Sequence, residues 1–131
     1  MKTESIRHIK KFNTEKKIEK AIQDTKDQLK DLIVEPTSII YSSYLSENLY
    51  NEQIVHEIVS TSEYEYPYEY QFVAVPKNEN ELYIIDLAYK QIQSDKYNEL
   101  LEKGYMLIKG EQCREYLDDI GNVNIDKRKS Y

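Results

Sequence analysis

The hydrophobic period of this chain first changes between Leu49 and Ile54, and that change limits the folds open to it. Before it, apolar residues recur every three or four positions. Ile18, Ile22, Thr25, Leu29, Leu32 and Ile33 make one stripe of a helix that is predicted to run from Asn13 or Thr14 to about Leu32. Glu35-Pro36 ends it, because proline disfavours helical geometry in the residue before it and has no amide hydrogen to donate. A second helix follows, capped by Thr37 or Ser38, with Ile40, Tyr41, Tyr44, Leu45 and Leu49 as its buried face and Asn48 and Asn51 near its end.

Beyond the change the chain reads as extended. Residues 54–60 (IVHEIVS), 64–75 (YEYPYEYQFVAV) and 82–86 (LYIID) are rich in β-branched and aromatic side chains, and Pro76 with the polar run 77–80 makes a turn between the last two. Together they predict an antiparallel meander. Pro67 places its part of the middle strand at an edge or bulge, since a central strand would lose a ladder bond there. A short helix from a Ser94 cap through Leu101 to Gly104, a strand at 105–109 and a helix from Glu111 to Ile120 ended by Gly121 complete the order. The expected fold class is α+β, with N-terminal helices packed on a small antiparallel sheet. One domain over residues 1–131 is expected, comprising a basic helix at 1–33, a body at 36–120 and a frayed tail at 122–131.

Charge is divided as sharply as periodicity. Residues 1–30 hold nine Lys or Arg and five Asp or Glu, a balance of 9 − 5 = +4, whereas residues 35–102 hold three and thirteen, a balance of 3 − 13 = −10. A net charge of −6 disfavours direct nucleic-acid binding, which needs a continuous basic surface. It favours a protein partner that is itself basic. No apolar run is long enough for a membrane span, and the first residues lack the apolar core of a signal peptide, so a cytoplasmic protein, of a bacterium or of a host cell, is expected.

Groups able to carry chemistry are few. With one cysteine and two histidines, Cys113, His8 and His56 are too short a set for a zinc site, and neither metal nor cofactor is expected. No glycine-rich phosphate loop, paired-cysteine motif or serine-hydrolase elbow occurs. His56 alternates with Ile54 and Ile58 and reads as a strand histidine. Cys113 stands beside Arg114, whose charge favours a thiolate, yet a helical cysteine more often serves as a small apolar residue.

The densest feature is the segment at 61–72 (TSEYEYPYEYQF). Tyr64, Tyr66, Tyr68 and Tyr70 fall on one face of a strand, and Glu65 and Glu69 on the other. Exposed tyrosines supply contact area with little entropy loss, which makes these six residues a candidate partner-binding strand; the same rings serve equally as a cover over the first helix.

The stretch at 71–92 (QFVAVPKNENELYIIDLAYKQI) resembles the strand-turn-strand region of papain-like-fold toxins and effectors, cysteine peptidases and glutamine deamidases among them. In that family a histidine opens one strand and an acidic residue ends the next. The run at 98–117 (NELLEKGYMLIKGEQCREYL) is similar to the helix, strand and closing helix that follow in that family, and 38–59 (SIIYSSYLSENLYNEQIVHEIV) to its nucleophile helix. The resemblance spans about residues 36–120. It implies Asp86 as the orienting acid, Gln71 at the place of the base histidine and Ser38 near that of the nucleophilic cysteine. Because a glutamine amide cannot take a proton and a serine hydroxyl does not match a thiolate, the triad would be vestigial.

Three functional readings follow. The first is a pseudoenzyme on a papain-like scaffold that binds or inhibits a protein. The second is a small acidic inhibitor from a phage or mobile element, blocking a basic nucleic-acid site of a defence or host enzyme. The third is an active deamidase or peptidase, for which Asp86 and His56 are the available ingredients. Oligomerisation with a second copy stays open in all three.

Overall fold

In a computed structural model, residues 2–60, 70–92 and 94–129 are described, with side chains described within 14–120. Helix α1 (Lys2–Leu29) and helix α2 (Ser38–Asn51) precede strands β1 (Glu57–Ser60), β2 (Gln71–Pro76) and β3 (Glu81–Ile85). A 3₁₀ turn (Tyr89–Ile92), helix α3 (Asn98–Lys103), strand β4 (Tyr105–Lys109) and helix α4 (Gln112–Lys129) follow. The sheet is antiparallel in the order β1-β2-β3-β4, the predicted meander extended by one strand. The fold class is therefore α+β, as expected from the sequence.

Register assigns the faces. Val73 stands opposite Ile85, Val75 opposite Tyr83 and Tyr83 opposite Leu107, so these side chains share one side of the sheet. That side meets the N-terminal helices: the Tyr83 hydroxyl donates to Glu15 at 2.7 Å and the Tyr105 hydroxyl to Glu19 at 3.0 Å, both on α1. Phe72, Ile84, Met106 and Asp86 point the other way, where Phe72 meets the edge of Tyr116 on α4 at a ring separation of 5.0 Å. Helices thus cover both faces, which is why β2 and β3 read as nearly continuous apolar runs instead of alternating ones.

The basic first helix packs on the body. Ile18, Ala21, Ile22, Thr25 and Leu29 are buried, and Asn48 of α2 crosses to α1, donating to the Thr25 hydroxyl at 2.8 Å and to Gln28 at 3.0 Å. Thr25 donates in turn to the Ala21 carbonyl, so this buried polar contact is satisfied. Thr37 caps α2, accepting from the Ile40 amide at 3.3 Å, one of the two caps anticipated.

Several boundaries differ from expectation. Helix α1 begins at Lys2, because the helical spacing continues upstream through Ile6, Ile9 and Phe12 and an interior Asn or Thr costs a helix only about 0.7 kcal/mol. It ends at Leu29, so Leu32, Ile33 and Val34 lie exposed in the connection instead of extending its apolar stripe. That connection is anchored at its far end, where Gln91 donates to the Pro36 carbonyl at 2.7 Å and Lys90 pairs with Glu35 at 3.0 Å. Ile40 and Tyr44 are exposed, and Ser38, Ser42 and Asn48 occupy the buried side of α2 in their place. Helix α4 passes through Gly121 to Lys129, so that the expected tail is helical as far as Lys129. Gly104 does end α3 as foreseen. Its φ of 84° is left-handed, and a Cβ there would stand 2.8 Å from the Leu87 side chain.

Candidate functional site

The three positions that the resemblance singles out are brought to one end of the sheet. Ser38 opens α2 and is buried, and its Oγ accepts the Gln71 amide hydrogen at 3.1 Å. Gln71 is the first residue of β2, and Asp86 follows the last residue of β3. Continuing the register of Val73 with Ile85 sets Asp86 across from Phe72, next to Gln71 in the chain. The link is made by Tyr70, whose hydroxyl donates to Asp86 Oδ1 at 2.8 Å and Oδ2 at 3.0 Å.

These groups are engaged structurally. Asp86 is 3% exposed and also accepts from the Tyr116 hydroxyl at 2.5 Å and the Ala88 amide at 3.2 Å. Burial pushes its carboxyl up to about 6, while the hydroxyls of Tyr116 and Tyr70 and the Ala88 amide pull in the opposite direction. Tyr70 and Tyr116 are held protonated by burial and by the adjacent carboxylate. Tyr89 and Tyr97 close the cluster, each ring within 6.5 Å of Tyr116. The trio contains no imidazole, and among the described residues Asp86 is bonded to tyrosine hydroxyls and a backbone amide, not to a ring it could orient as a base for Ser38.

Of the candidate partner-binding strand, Tyr64, Glu65, Tyr66, Tyr68 and Glu69 lie outside the described residues. Tyr70 belongs to the core, at 5% exposure, because its hydroxyl is committed to the buried Asp86 carboxylate. Cys113 is half-buried, and burial raises its thiol, opposite in direction to the thiolate that Arg114 would favour. Among the described residues no three His, Cys, Asp or Glu side chains cluster as metal ligands would, and no helix is long and apolar enough to cross a membrane.

A pairing that the sequence reading missed lies at the other end of α2. His56 precedes β1 instead of alternating within it, and its ring turns back onto the helix. Nε2 stands 2.6 Å from Ser46 Oγ, and Nδ1 stands 2.8 Å from the Ile54 carbonyl oxygen. A carbonyl only accepts, so Nδ1 carries the proton in the neutral ring and Nε2 offers its lone pair to the Ser46 hydroxyl. Both side chains are half-buried.

The turn that aims His56 is a helix cap of the Schellman type. The Gln53 amide donates to the Tyr50 carbonyl at 2.9 Å and the Ile54 amide to the Leu49 carbonyl at 2.9 Å, while Gln53 holds a φ of 60°. Glycine or asparagine usually fills that left-handed position, so no glycine marked the turn in the sequence. Beside it a shallow cleft of about 650 Å³ is lined by Tyr50, Asn51, Gln53, Ile54, Val55 and His56.

The surrounding surface has a consistent character. Tyr50 and Val55, at 77% and 78% exposure, and Ile58 on β1 present apolar side chains to solvent. Every Asp, Glu, Lys or Arg between residues 35 and 60 is a glutamate, at positions 35, 47, 52 and 57. Comparison with protein-family models, with curated proteins and with solved structures yields no match.

Proposed function

We propose that this chain is a protein-binding module on a papain-like scaffold whose triad positions no longer catalyse, and that it holds a partner with a basic surface. The observation that carries this reading is the face built by α2, its cap and β1. There Tyr50, Val55 and Ile58 stand exposed on a stretch, residues 35–60, whose charged side chains are all glutamates, of which Glu52 pairs with Lys20 of α1 at 3.0 Å and Glu35 with Lys90. Exposed apolar area supplies affinity and an excess of one charge sign selects an oppositely charged partner. The scaffold reading is supported by the meeting of Ser38 with Gln71 at the start of β2 and by the place of Asp86 at the end of β3.

The test is capture of the partner by wild-type protein and by a Val55→Asp/Ile58→Asp variant, at low and at high salt, with and without competing DNA. Capture of one stoichiometric basic protein, lost in the variant and weakened by salt, is expected. Displacement by DNA would assign the acidic face to blocking a nucleic-acid site. Equal capture by the variant would remove this face from the function.

A further inference from the structure

We propose that Ser46 and His56 form a nucleophile and general base that cleave an acyl ester, a reaction at the edge of the binding face that goes beyond partner recognition. The geometry required of such a pair is present: a hydroxyl within hydrogen-bond reach of an imidazole nitrogen, and a third group that fixes the ring. Ser46 Oγ and His56 Nε2 are 2.6 Å apart, and the Ile54 carbonyl takes the part that a carboxylate plays in a catalytic triad, holding the proton on Nδ1. A serine inside a helix commonly bonds back to the carbonyl four residues earlier. Ser46 instead reaches a residue ten positions ahead. The strained Gln53 backbone, at φ 60°, closes the turn that makes this possible, and backbone strain of this kind concentrates at working sites.

The cleft names the substrate class. Tyr50, Ile54 and Val55 offer apolar contact to an acyl group beside His56. The substrate is an uncharged ester with an apolar acyl group. In the first step Ser46 Oγ bonds to the carbonyl carbon as its proton passes to His56 Nε2. The carbon–oxygen bond of the ester then breaks, and the departing alcohol takes the proton from Nε2. Water, deprotonated by the same nitrogen, releases the acid from Ser46 and returns the hydroxyl.

The experiment uses the full chain, a fluorophosphonate probe and p-nitrophenyl butyrate. The probe transfers its phosphonyl group to the serine oxygen with loss of fluoride, and peptide mass spectrometry reads which serine carries it. Labelling at Ser46 well above that at exposed Ser43 is expected, together with ester hydrolysis that disappears in Ser46→Ala and is unchanged in Ser43→Ala. His56→Gln preserves a hydrogen-bonding side chain but no base, and labelling there should fall about 100-fold or more. Circular dichroism of each variant separates lost reactivity from lost folding. Wild-type protein labelled at Ser46 no faster than at Ser43, or labelling unaffected by His56→Gln, overturns the proposal. Either result leaves the partner-capture experiment untouched, because that one reads Val55 and Ile58.

Discussion

Two polar constellations flank the sheet, and they differ in what water can reach. The Asp86 carboxylate is enclosed by Tyr70, Tyr116 and the Ala88 amide beneath α4. The Ser46–His56 pair sits half-exposed at the start of β1 beside a cleft. Each joins segments distant in sequence by short hydrogen bonds. In the enclosed cluster the lone pairs are engaged and a charge must be carried in a poorly solvated place, so its hydrogen bonds serve stability and its ionisation opposes it. In the open pair, bonds of similar length join side chains that are only half-buried. Burial, not the residue types, separates a structural cluster from a reactive one.

The largest break in this comparison is Tyr116→Ala. It removes a ring that packs on Phe72 and Tyr97 and takes a donor from a buried carboxylate, and should cost about 3–5 kcal/mol in urea unfolding. A loss below about 1 kcal/mol would mean that the cluster tolerates water.

Next comes pH. In the unfolded chain Asp86 titrates near 3.8 and in the folded one near 6, so folding favours its protonated form. Its contribution is fully present below pH 3.8 and is lost as pH rises through 6, a change on the order of 3 kcal/mol. Glu35 is lowered by Lys90 and Tyr41 against its own burial, and Asp119, despite its burial, by Lys96 and Tyr97. Their contributions are lost only as pH falls below 4.5 and 3.8 respectively, so above pH 4.5 the change is that of Asp86. Urea midpoints measured between pH 4.5 and 8 should fall with rising pH in the wild type and flatten in Asp86→Asn; parallel slopes would count against Asp86 as the source.

A smaller effect sharpens the helix contact. Asn48→Ala leaves the Thr25 hydroxyl and Gln28 without their shared donor and should cost about 1–2 kcal/mol at any pH. The smallest is expected at the open pair: His56→Gln should cost at most about 1 kcal/mol in the same assay, since water can replace its partners. A loss approaching that of Tyr116→Ala would make the pair a structural staple instead of a reactive group.

The contrast also explains what could be read in advance. β4 was legible to the residue and Gly104 as a helix stop, because alternation and a left-handed cap are local requirements. Ser38, Gln71 and Asp86 are singled out by the resemblance of residues 36–120 to papain-like-fold toxins, not by a local requirement. Whether Tyr70 faces a partner or the core stayed open in the sequence, because alternation places it on a face without saying that the face holds a buried carboxylate. Ser46 went unnoticed because nothing in its neighbourhood marks it. Its partner arrives only when a glutamine adopts the turn conformation usually left to glycine.

The sequence by itself determined the class of fold, the order of helices and strands and the separation of charge. Period, proline, glycine and β-branching act over a few residues and need no partner. The tertiary structure alone decided which polar groups are sealed and which stay open. Burial and hydrogen-bond reach depend on residues far apart in the chain, as Asp86 and Tyr116 are, and no local pattern encodes which of them will meet.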